Sequence, residues 1–142
     1  MVNKAQPELK FITVQMDVAS VSKEKRLSGA LTLIESATAA EGPGIYLLPE
    51  YALSPLPNDA AAIKGQAETV PGPMTESFSH VARKHGIWIA MGLLEISPDP
   101  DHPYNSIAIV GPRGELHRYH KTHLWDSGVE PWRECKAFTP GS

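Results

Sequence analysis

Strand-like patterns alternate with longer helical patterns along this chain. The strand-like runs are Leu9 to Gln15, Ile45 to Leu48 and Ile87 to Leu94. The second of them is wholly apolar, which is typical of a central strand that is buried on both faces. Helical patterns occupy the intervals between these runs. This order predicts a mixed α/β sheet with helices on at least one face.

Spacing and boundary residues predict the helices. Residues on one face of the first helix recur at intervals of four, three and four: Leu27, Leu31, Ile34 and Thr38. Ser22 is the expected N-cap of this helix, and Gly42 begins the glycine–proline stretch that ends it. The second helix is expected to be capped by Thr75 and closed by Gly86.

The last predicted elements form a hairpin. Asn105 to Val110 and Glu115 to Leu124 have strand patterns, and Gly-Pro-Arg-Gly at residues 111–114 joins them. Residues 52–73, earlier in the chain, are loop-like, with a turn of helix expected around Ala60 to Gly65.

Composition excludes several classes of function. The chain has 142 residues, with 13 Lys and Arg against 16 Asp and Glu, and its net charge of −3 comes without a basic cluster. Such a chain has no electrostatic basis for binding nucleic acid or an anionic membrane. No segment has the pattern of a signal peptide or the ~20 apolar residues of a membrane span. With one cysteine and no intrachain disulfide, we expect a soluble cytoplasmic protein.

Glu50 is the first residue with a candidate chemical role. It follows directly on the apolar run at residues 45–48 and Pro49, and α/β folds place reactive groups at the carboxyl ends of strands. A partly desolvated carboxylate at this place would serve as a general base. The alternative is an ordinary solvated loop carboxylate.

Three histidines, His117, His120 and His123, suggest a metal site at first sight. In a strand, however, successive side chains point to opposite faces, so His120 faces away from the other two. The three would converge as ligands only if the segment were irregular. The preferred interpretation is ordinary strand histidines and no metal.

Lys121 lies within the same predicted strand. A lysine in that setting costs free energy to bury unless it meets a carboxylate. Beside Glu50 it would be a charged hydrogen-bond donor to a developing oxyanion. The alternative is an exposed edge-strand lysine that discourages pairing between sheets.

Cys135 is the only thiol of the chain. A lone cysteine is more often a small buried residue or a bystander than a nucleophile. The sequence also has no phosphate-binding Gly-Lys-Ser/Thr loop, no GxGxxG, no GxSxG and no CxxC.

Taken together, these segments resemble the nitrilase superfamily of carbon–nitrogen hydrolases. The similarity runs from about Leu9 to the last residue, and the order and spacing of its segments make it specific. The matching segments are Phe11–Gln15, Ile45–Glu50, Tyr104–Ser106 with the hairpin at 111–114, Tyr119–Leu124 and Glu134–Gly141.

The resemblance implies roles for three residues. Glu50 matches the general base of the family, Lys121 the lysine that stabilises the tetrahedral intermediate, and Glu134 its second glutamate. The nucleophilic cysteine of the family follows the Phe-x-Pro-Gly turn, whereas Cys135 precedes that turn and does not match. The resemblance implies no metal and no organic cofactor. The chain alone is therefore expected to be inactive.

The resemblance also implies the architecture and the partners. The family fold is a four-layer α-β-β-α sandwich that assembles as dimers or larger oligomers, and residues 1–142 would be a single incomplete domain forming its N-terminal half. The expected substrates are small amide, carbamoyl or nitrile compounds. The expected protein partner is a second copy or the missing C-terminal half, without nucleic acid or membrane.

Two alternatives to the hydrolase remain open at this point. A non-catalytic binding or assembly module would retain half of the site, and a small metal-dependent protein would use the histidines. A reading frame that continues past Ser142, with a cysteine at the end of an apolar strand, would favour the hydrolase.

Overall fold

The computed structural model describes residues 9–17, 22–54, 63, 65–129 and 133–142. Within these ranges the chain forms a five-stranded sheet, helices α1 and α2, and a short 3₁₀-helix. In chain order the elements are β1 (Phe11–Thr13), α1 (Lys23–Glu41), β2 (Ile45–Leu47), α2 (Pro73–His85), β3 (Trp88–Glu95), β4 (Tyr104–Val110), β5 (Leu116–His120) and the 3₁₀-helix Glu134–Lys136.

The strands lie in the sheet in the same order as in the chain. β1, β2 and β3 are parallel, with Phe11 opposite Ile45 and Ile45 opposite Trp88. Parallel neighbours need a crossover connection, and α1 and α2 lie in the two that this arrangement requires. β4 and β5 follow as antiparallel strands joined by the predicted turn at residues 111–114. The predicted mixed α/β sheet is confirmed.

The predicted ends of α1 are confirmed. The Ser22 side chain accepts a hydrogen bond from Lys25 N–H over 3.4 Å. Gly42 has a φ of 76° and donates its N–H to the Thr38 carbonyl over 2.9 Å. The end of α2 at Gly86, with a φ of 68°, is confirmed as well.

The predicted cap of α2 is wrong. The helix starts earlier, with Gly72 as N-cap and Pro73 in the first turn. Proline fits there because its missing N–H would have no partner within the helix. Thr75 instead accepts a hydrogen bond from Gly72 N–H through its hydroxyl, over 2.9 Å, so it supports the cap from inside the helix.

α1 buries a stripe that is rotated from the predicted face. The buried residues of this stripe are Arg26, Ala30, Ile34 and Thr38, whereas Leu27 and Leu31 pack half-buried at its side. Arg26 is only 1% exposed. A prediction based on apolar residues places an arginine on the solvent face, so it missed the burial of Arg26.

The helices cover one face of the sheet. The core beneath them includes Ile34 from α1, Phe78 from α2, and Ile89, Met91 and Val110 from the sheet, all fully buried. Complete burial of one such side chain contributes about 1.5–3 kcal/mol. This layer therefore fixes the strands whose ends carry the candidate site.

α1 and α2 do not cover the other face of the sheet, which we call the open face. Phe11, Ile107 and Tyr119 project from it and are 62%, 43% and 54% exposed. Leu47 and Ala90, a pair across β2 and β3, line a cleft on the same side. A mixed sheet with helices on one side corresponds to one half of a four-layer sandwich, as predicted.

The open face also changes the burial of β2. Tyr46 is fully buried against the helices, but Ile45 and Leu47 are half-buried. The prediction of a strand buried on both faces is therefore wrong, since α1 and α2 cover one face of β2 and the side chains on its other face stay half-buried.

The last predicted strand is too long. β5 ends at His120 rather than at Leu124, and the carbonyl of the next residue, Lys121, accepts a hydrogen bond from Gly141 N–H over 2.9 Å. The turn of helix expected around residues 60–65 lies largely outside the described residues. Neither of the described helices has the length and apolarity that a membrane crossing requires.

Candidate functional site

Glu50 lies just beyond the carboxyl end of β2, on a segment that packs directly on β3. A Cβ atom at Gly92 would lie 2.8 Å from the Pro49 carbonyl oxygen and 2.9 Å from the Tyr51 nitrogen. Both distances are shorter than side chains tolerate, so glycine at position 92 permits this close approach. Tyr51 has a φ of 55°, a left-handed conformation that is strained for a tyrosine and that is often found at functional sites.

Lys121 reaches the same place from the end of β5. Its N–H donates to the Asn105 carbonyl over 2.8 Å, which ties the residue to β4. Its ammonium Nζ lies 3.1 Å from Glu50 Oε1 and 2.9 Å from Glu134 Oε2. The prediction that the charged ends of Glu50 and Lys121 lie together is confirmed.

Glu134, at the start of the 3₁₀-helix, completes the cluster as expected. Its Oε2 accepts a hydrogen bond from Trp125 N–H over 2.7 Å, and its Oε1 accepts one from the Tyr51 hydroxyl over 2.8 Å. The Glu134 side chain is 14% exposed, against 28% for Lys121 and 54% for Glu50. Glu50 is thus less desolvated than the sequence analysis expected.

Asn105 and Tyr51 are parts of the site that sequence analysis did not single out. Asn105 Nδ2 donates to Glu50 Oε1 over 2.7 Å and to the Tyr51 hydroxyl over 3.0 Å. Two signals were available: Asn105 is an amide at the start of an apolar strand, and Tyr51 adjoins the candidate base. Neither signal specifies a contact, because the residues are far apart in sequence.

The surroundings shift the pKa values of three groups. Burial opposes the charged form of Lys121, but its contacts with Glu134 and Glu50 outweigh this effect and raise its pKa. Burial likewise opposes the charged form of Glu134, yet the hydrogen bonds that it accepts, first from Trp125 N–H and then from Lys121, lower its pKa. Burial and the nearby Glu134 carboxylate raise the pKa of Tyr51. At neutral pH this site holds an ammonium group, an ionised Glu134 and a neutral phenol.

The Phe-x-Pro-Gly turn packs against this cluster. Gly141 donates its N–H to the Lys121 carbonyl, and Thr139 donates its N–H to the Pro103 carbonyl over 3.0 Å. The Phe138 ring lies 6.1 Å from the Tyr51 ring. The turn thus holds the backbone of Lys121 at its carbonyl, while β4 holds it at its N–H.

A second polar cluster surrounds the Glu95 carboxylate, whose side chain is 5% exposed. Ser106 Oγ donates to Glu95 Oε2 over 3.0 Å, Arg118 Nη1 donates to Oε1 over 2.8 Å, and His120 Nε2 lies 2.9 Å from Oε2. The His120 ring also stacks on Tyr104. The His120 ring therefore already contacts Glu95 and Tyr104 within the protein.

The other two predicted histidines lie apart from His120. His117 stacks on Trp88, with ring centroids 6.2 Å apart, and His123 Nδ1 lies 3.0 Å from the Thr122 hydroxyl. Among the described residues, no group of three His, Cys, Asp or Glu side chains has a geometry suited to a metal ion.

The side chain of Cys135 contacts Asp126. Its thiol is exposed and donates to Asp126 Oδ2 over 3.3 Å. Arg133 binds both oxygens of the same carboxylate, over 2.9 and 3.0 Å, and with a backbone hydrogen bond from Gly128 this lowers the pKa of Asp126 to about 2. The structure thus places Cys135 beside a carboxylate of the neighbouring loop.

A cleft of about 470 Å³ adjoins the cluster on the open face. Glu50, Asn105 and Lys121 lie at its polar end, and Leu47 and Ile107 belong to its apolar wall. An exposed carboxylate can accept a proton. The ammonium group beside it can stabilise a developing negative charge. The arrangement thus combines a candidate base with a candidate stabiliser of negative charge at one end of a cleft.

Comparison with known proteins identifies the class to which this fold and cluster belong. Residues 13–141 match the carbon–nitrogen hydrolase family, and the chain belongs to that family. It is similar to formamidases: it is 33% identical over 113 residues to that of Bacillus cereus strain Q1 and 32% identical to that of Bacillus anthracis strain A0248. Each alignment covers 78% of this chain and 33% of the formamidase.

Solved structures share the fold of this chain. Saccharomyces cerevisiae Nit3, a member of branch 10 of the nitrilase superfamily, superposes with a TM-score of 0.77 at 26% identity, over 94% of this chain and 49% of that one. XC1258 from Xanthomonas campestris, a CN-hydrolase superfamily protein, shares the fold with a TM-score of 0.77 at 23% identity, over 96% and 48%. The chain thus spans a third of the length of these formamidases and about half that of these structures.

Proposed function

We propose that this chain carries the glutamate–lysine–glutamate part of a hydrolase site for small linear amides or carbamoyl compounds. The observation that carries the proposal is the Lys121 ammonium group held between two carboxylates, at 3.1 Å from Glu50 and 2.9 Å from Glu134. The similarity to formamidases supports an amide as the substrate class.

Glu50 is the proposed general base. Of the two carboxylates, its side chain is the more exposed, at 54% against 14%, so it is the one that incoming groups can reach. It would take the proton of a thiol, and the thiolate would attack the amide carbon. The proton would then pass to the departing ammonia or amine, and water would hydrolyse the thioester.

Lys121 is the proposed stabiliser of the oxyanion. Its raised pKa keeps it charged at neutral pH, and this positive charge would stabilise the carbonyl oxygen as it becomes negative during attack. Glu134 accepts hydrogen bonds from the Trp125 N–H and the Tyr51 hydroxyl in addition to Lys121. Its proposed role is therefore to hold the ammonium group in place.

The proposed nucleophile is a thiolate from outside these 142 residues. Cys135 Sγ donates to Asp126, and it would have to turn away from that carboxylate to take part. We therefore expect the purified chain to release no ammonia from formamide or acetamide. Release that Cys135→Ala abolishes would show that the assignment of the nucleophile is wrong.

A chimaera tests the site itself. This chain's matching segment replaces the corresponding third of Bacillus cereus formamidase, and ammonia release is measured. We expect Glu50→Gln to lower kcat by about 10²–10⁴-fold and Lys121→Met by about 10²–10³-fold.

The matched controls are Glu35→Gln and Lys84→Met, which remove an exposed ion pair of 2.7 Å between α1 and α2. They should leave kcat unchanged. A folded chimaera that hydrolyses formamide equally well with and without Glu50 would contradict the proposal. A folded chimaera without any activity would favour a non-catalytic binding module.

A further inference from the structure

We propose that Asn105 is a positioning residue that holds the Glu50 carboxylate against Lys121 and orients the Tyr51 hydroxyl toward Glu134. The inference rests on the proposed function, because it assigns a residue that positions the two carboxylates of the same site.

The Asn105 side chain is fixed by its surroundings. The residue is 5% exposed and lies on β4 next to the polar end of the cleft. Its Nδ2 carries two protons, and one partner is available for each: Glu50 Oε1 at 2.7 Å and the Tyr51 hydroxyl at 3.0 Å. Its backbone carbonyl accepts the Lys121 N–H over 2.8 Å. One residue therefore contacts the base, the phenol and the lysine backbone.

The donor character of Nδ2 sets the direction of the Tyr51 hydrogen bond. An amide N–H can only donate, so the Tyr51 oxygen accepts from Asn105. The single phenolic proton is then directed to Glu134 Oε1, 2.8 Å away. An acceptor in place of Nδ2 would compete with Glu134 for that proton.

The position of the Glu50 side chain depends on Asn105 more than the position of the Glu134 side chain does. Both hydrogen bonds described for Glu50 end on Oε1, from Asn105 and from Lys121. With a side chain that is 54% exposed, the carboxylate can turn into water when the Asn105 donor is removed. Glu134 keeps Trp125 N–H and Lys121 in that case. Loss of Asn105 should therefore separate Glu50 from Lys121 selectively.

The test measures Lys121 directly and does not depend on hydrolysis. The lysines of the purified chain are methylated with isotope-labelled formaldehyde, Lys121 is assigned with Lys121→Arg, and its titration is followed by NMR. Asn105→Ser and the near-isosteric Asn105→Leu should both lower the pKa of Lys121 by on the order of half a unit, as expected for a partly exposed ion pair.

A matched control and a double variant separate positioning from general destabilisation. Ser106→Ala alters the next residue of β4, which is equally buried and bonds to Glu95 on the other side of the sheet, and it should leave the Lys121 titration unchanged. Glu50→Gln should lower the pKa of Lys121 by itself, and Asn105→Ser should add nothing to it, because both changes remove the same partner. Additive shifts, or an equal shift in Ser106→Ala, would overturn the proposal.

The unaltered side chain provides a second measurement if the Asn105 variants do not fold. Both Asn105 Hδ2 protons should exchange slowly with solvent. Glu50→Gln should move the resonance of one proton, and Tyr51→Phe should move that of the other. Fast exchange, or movement of the same proton in both variants, would show that Asn105 does not bridge the two side chains. Either result is independent of whether the site hydrolyses amides.

Discussion

At the scale of single residues, Glu50 and Glu134 contact one ammonium group from different environments. Glu134 is held by a backbone N–H, a phenol and Lys121 in a largely buried position. Glu50 shares Lys121 but is more than half exposed. A carboxylate that is held on several sides is suited to fixing its neighbour, and one that faces solvent is suited to exchanging a proton. The different environments thus match the different roles proposed for the two residues.

The protonation of Glu134 leads to a prediction on stability. Because its pKa is lower in the folded chain than the ordinary 4.5, the ionised group stabilises the fold above that value, and the contribution is lost as the pH falls through the folded pKa. Lys121 acts in the opposite sense. Its folded pKa lies above the ordinary 10.5, so its contribution is complete below that value and is lost as the pH rises through the folded pKa.

Urea unfolding across the acid range checks the Glu134 contribution. We expect Glu134→Gln to lower the free energy of unfolding at pH 7 and to flatten its decrease below about pH 4.5. Glu76→Gln, at an exposed position in the first turn of α2, is the control and should keep the slope of the unaltered chain. An unchanged slope in Glu134→Gln would mean that the buried contacts of this carboxylate do not persist in solution.

At the scale of elements, local signals predicted the ends of α1 well and the ends of strands poorly. Ser22 and Gly42 act through the backbone next to them, so a single sequence contains the information. The end of β5 at His120 depends on a hydrogen bond between Lys121 and Gly141, which no local pattern encodes.

The difference between local and long-range information also explains which site residues were predicted. Glu50, Lys121 and Glu134 were found because each lies in a segment that resembles a known family. Asn105 and Tyr51 were missed because their role consists of contacts across more than fifty positions. Such contacts exist only once the β2–β3–β4 register is formed.

The contact between the Glu50 segment and β3 leads to a prediction on Gly92. The added methyl group of Gly92→Ala would meet backbone atoms of residues 49–51 at 2.8–3.0 Å, and backbone cannot move aside as a flexible side chain can. We expect a loss of about 1–3 kcal/mol of stability and a weaker Glu50–Lys121 contact, seen as a lower Lys121 pKa by NMR.

Gly29→Ala is the matched control for this change. A Cβ atom at Gly29, inside α1, would have nothing within 4 Å, and alanine there should stabilise the chain by about 0.5–1 kcal/mol. If Gly92→Ala were as stable as Gly29→Ala, the 49–51 segment would not rest on β3 in the way described.

At the scale of the whole molecule, the distribution of apolar surface between the two sides of the sheet is unequal. The helical side encloses Phe78, Ile89 and Met91 completely. The open face presents Phe11 on β1 and the paired residues Ile107 and Tyr119 on β4 and β5 to solvent. Apolar side chains exposed on one face of a sheet favour association with another protein surface. In the family's four-layer fold, the second sheet would occupy this side.

The open face leads to the last prediction, which concerns self-association of the purified chain. Without a second sheet, two copies can bury their apolar strand faces against each other, so we expect dimers or larger species in sedimentation velocity at micromolar concentration. Ile107 lies on β4, an interior strand, and is 43% exposed on the open face, so Ile107→Lys places a charge there without opening the core. It should weaken association at least about tenfold, since the lost burial and the desolvated charge each oppose contact.

Leu33→Lys distinguishes the open face from apolar surface in general. Leu33 lies on α1 and is 41% exposed, so the substitution matches Ile107→Lys in residue size, exposure and added charge but lies on the helical side of the molecule. It should leave the sedimentation profile unchanged. If the unaltered chain is a monodisperse monomer with a sharp cooperative melt, the uncovered sheet is stable in water by itself and the half-sandwich interpretation fails. If both lysine variants dissociate the oligomer equally, association is a property of the whole surface and gives no information on what covers the sheet.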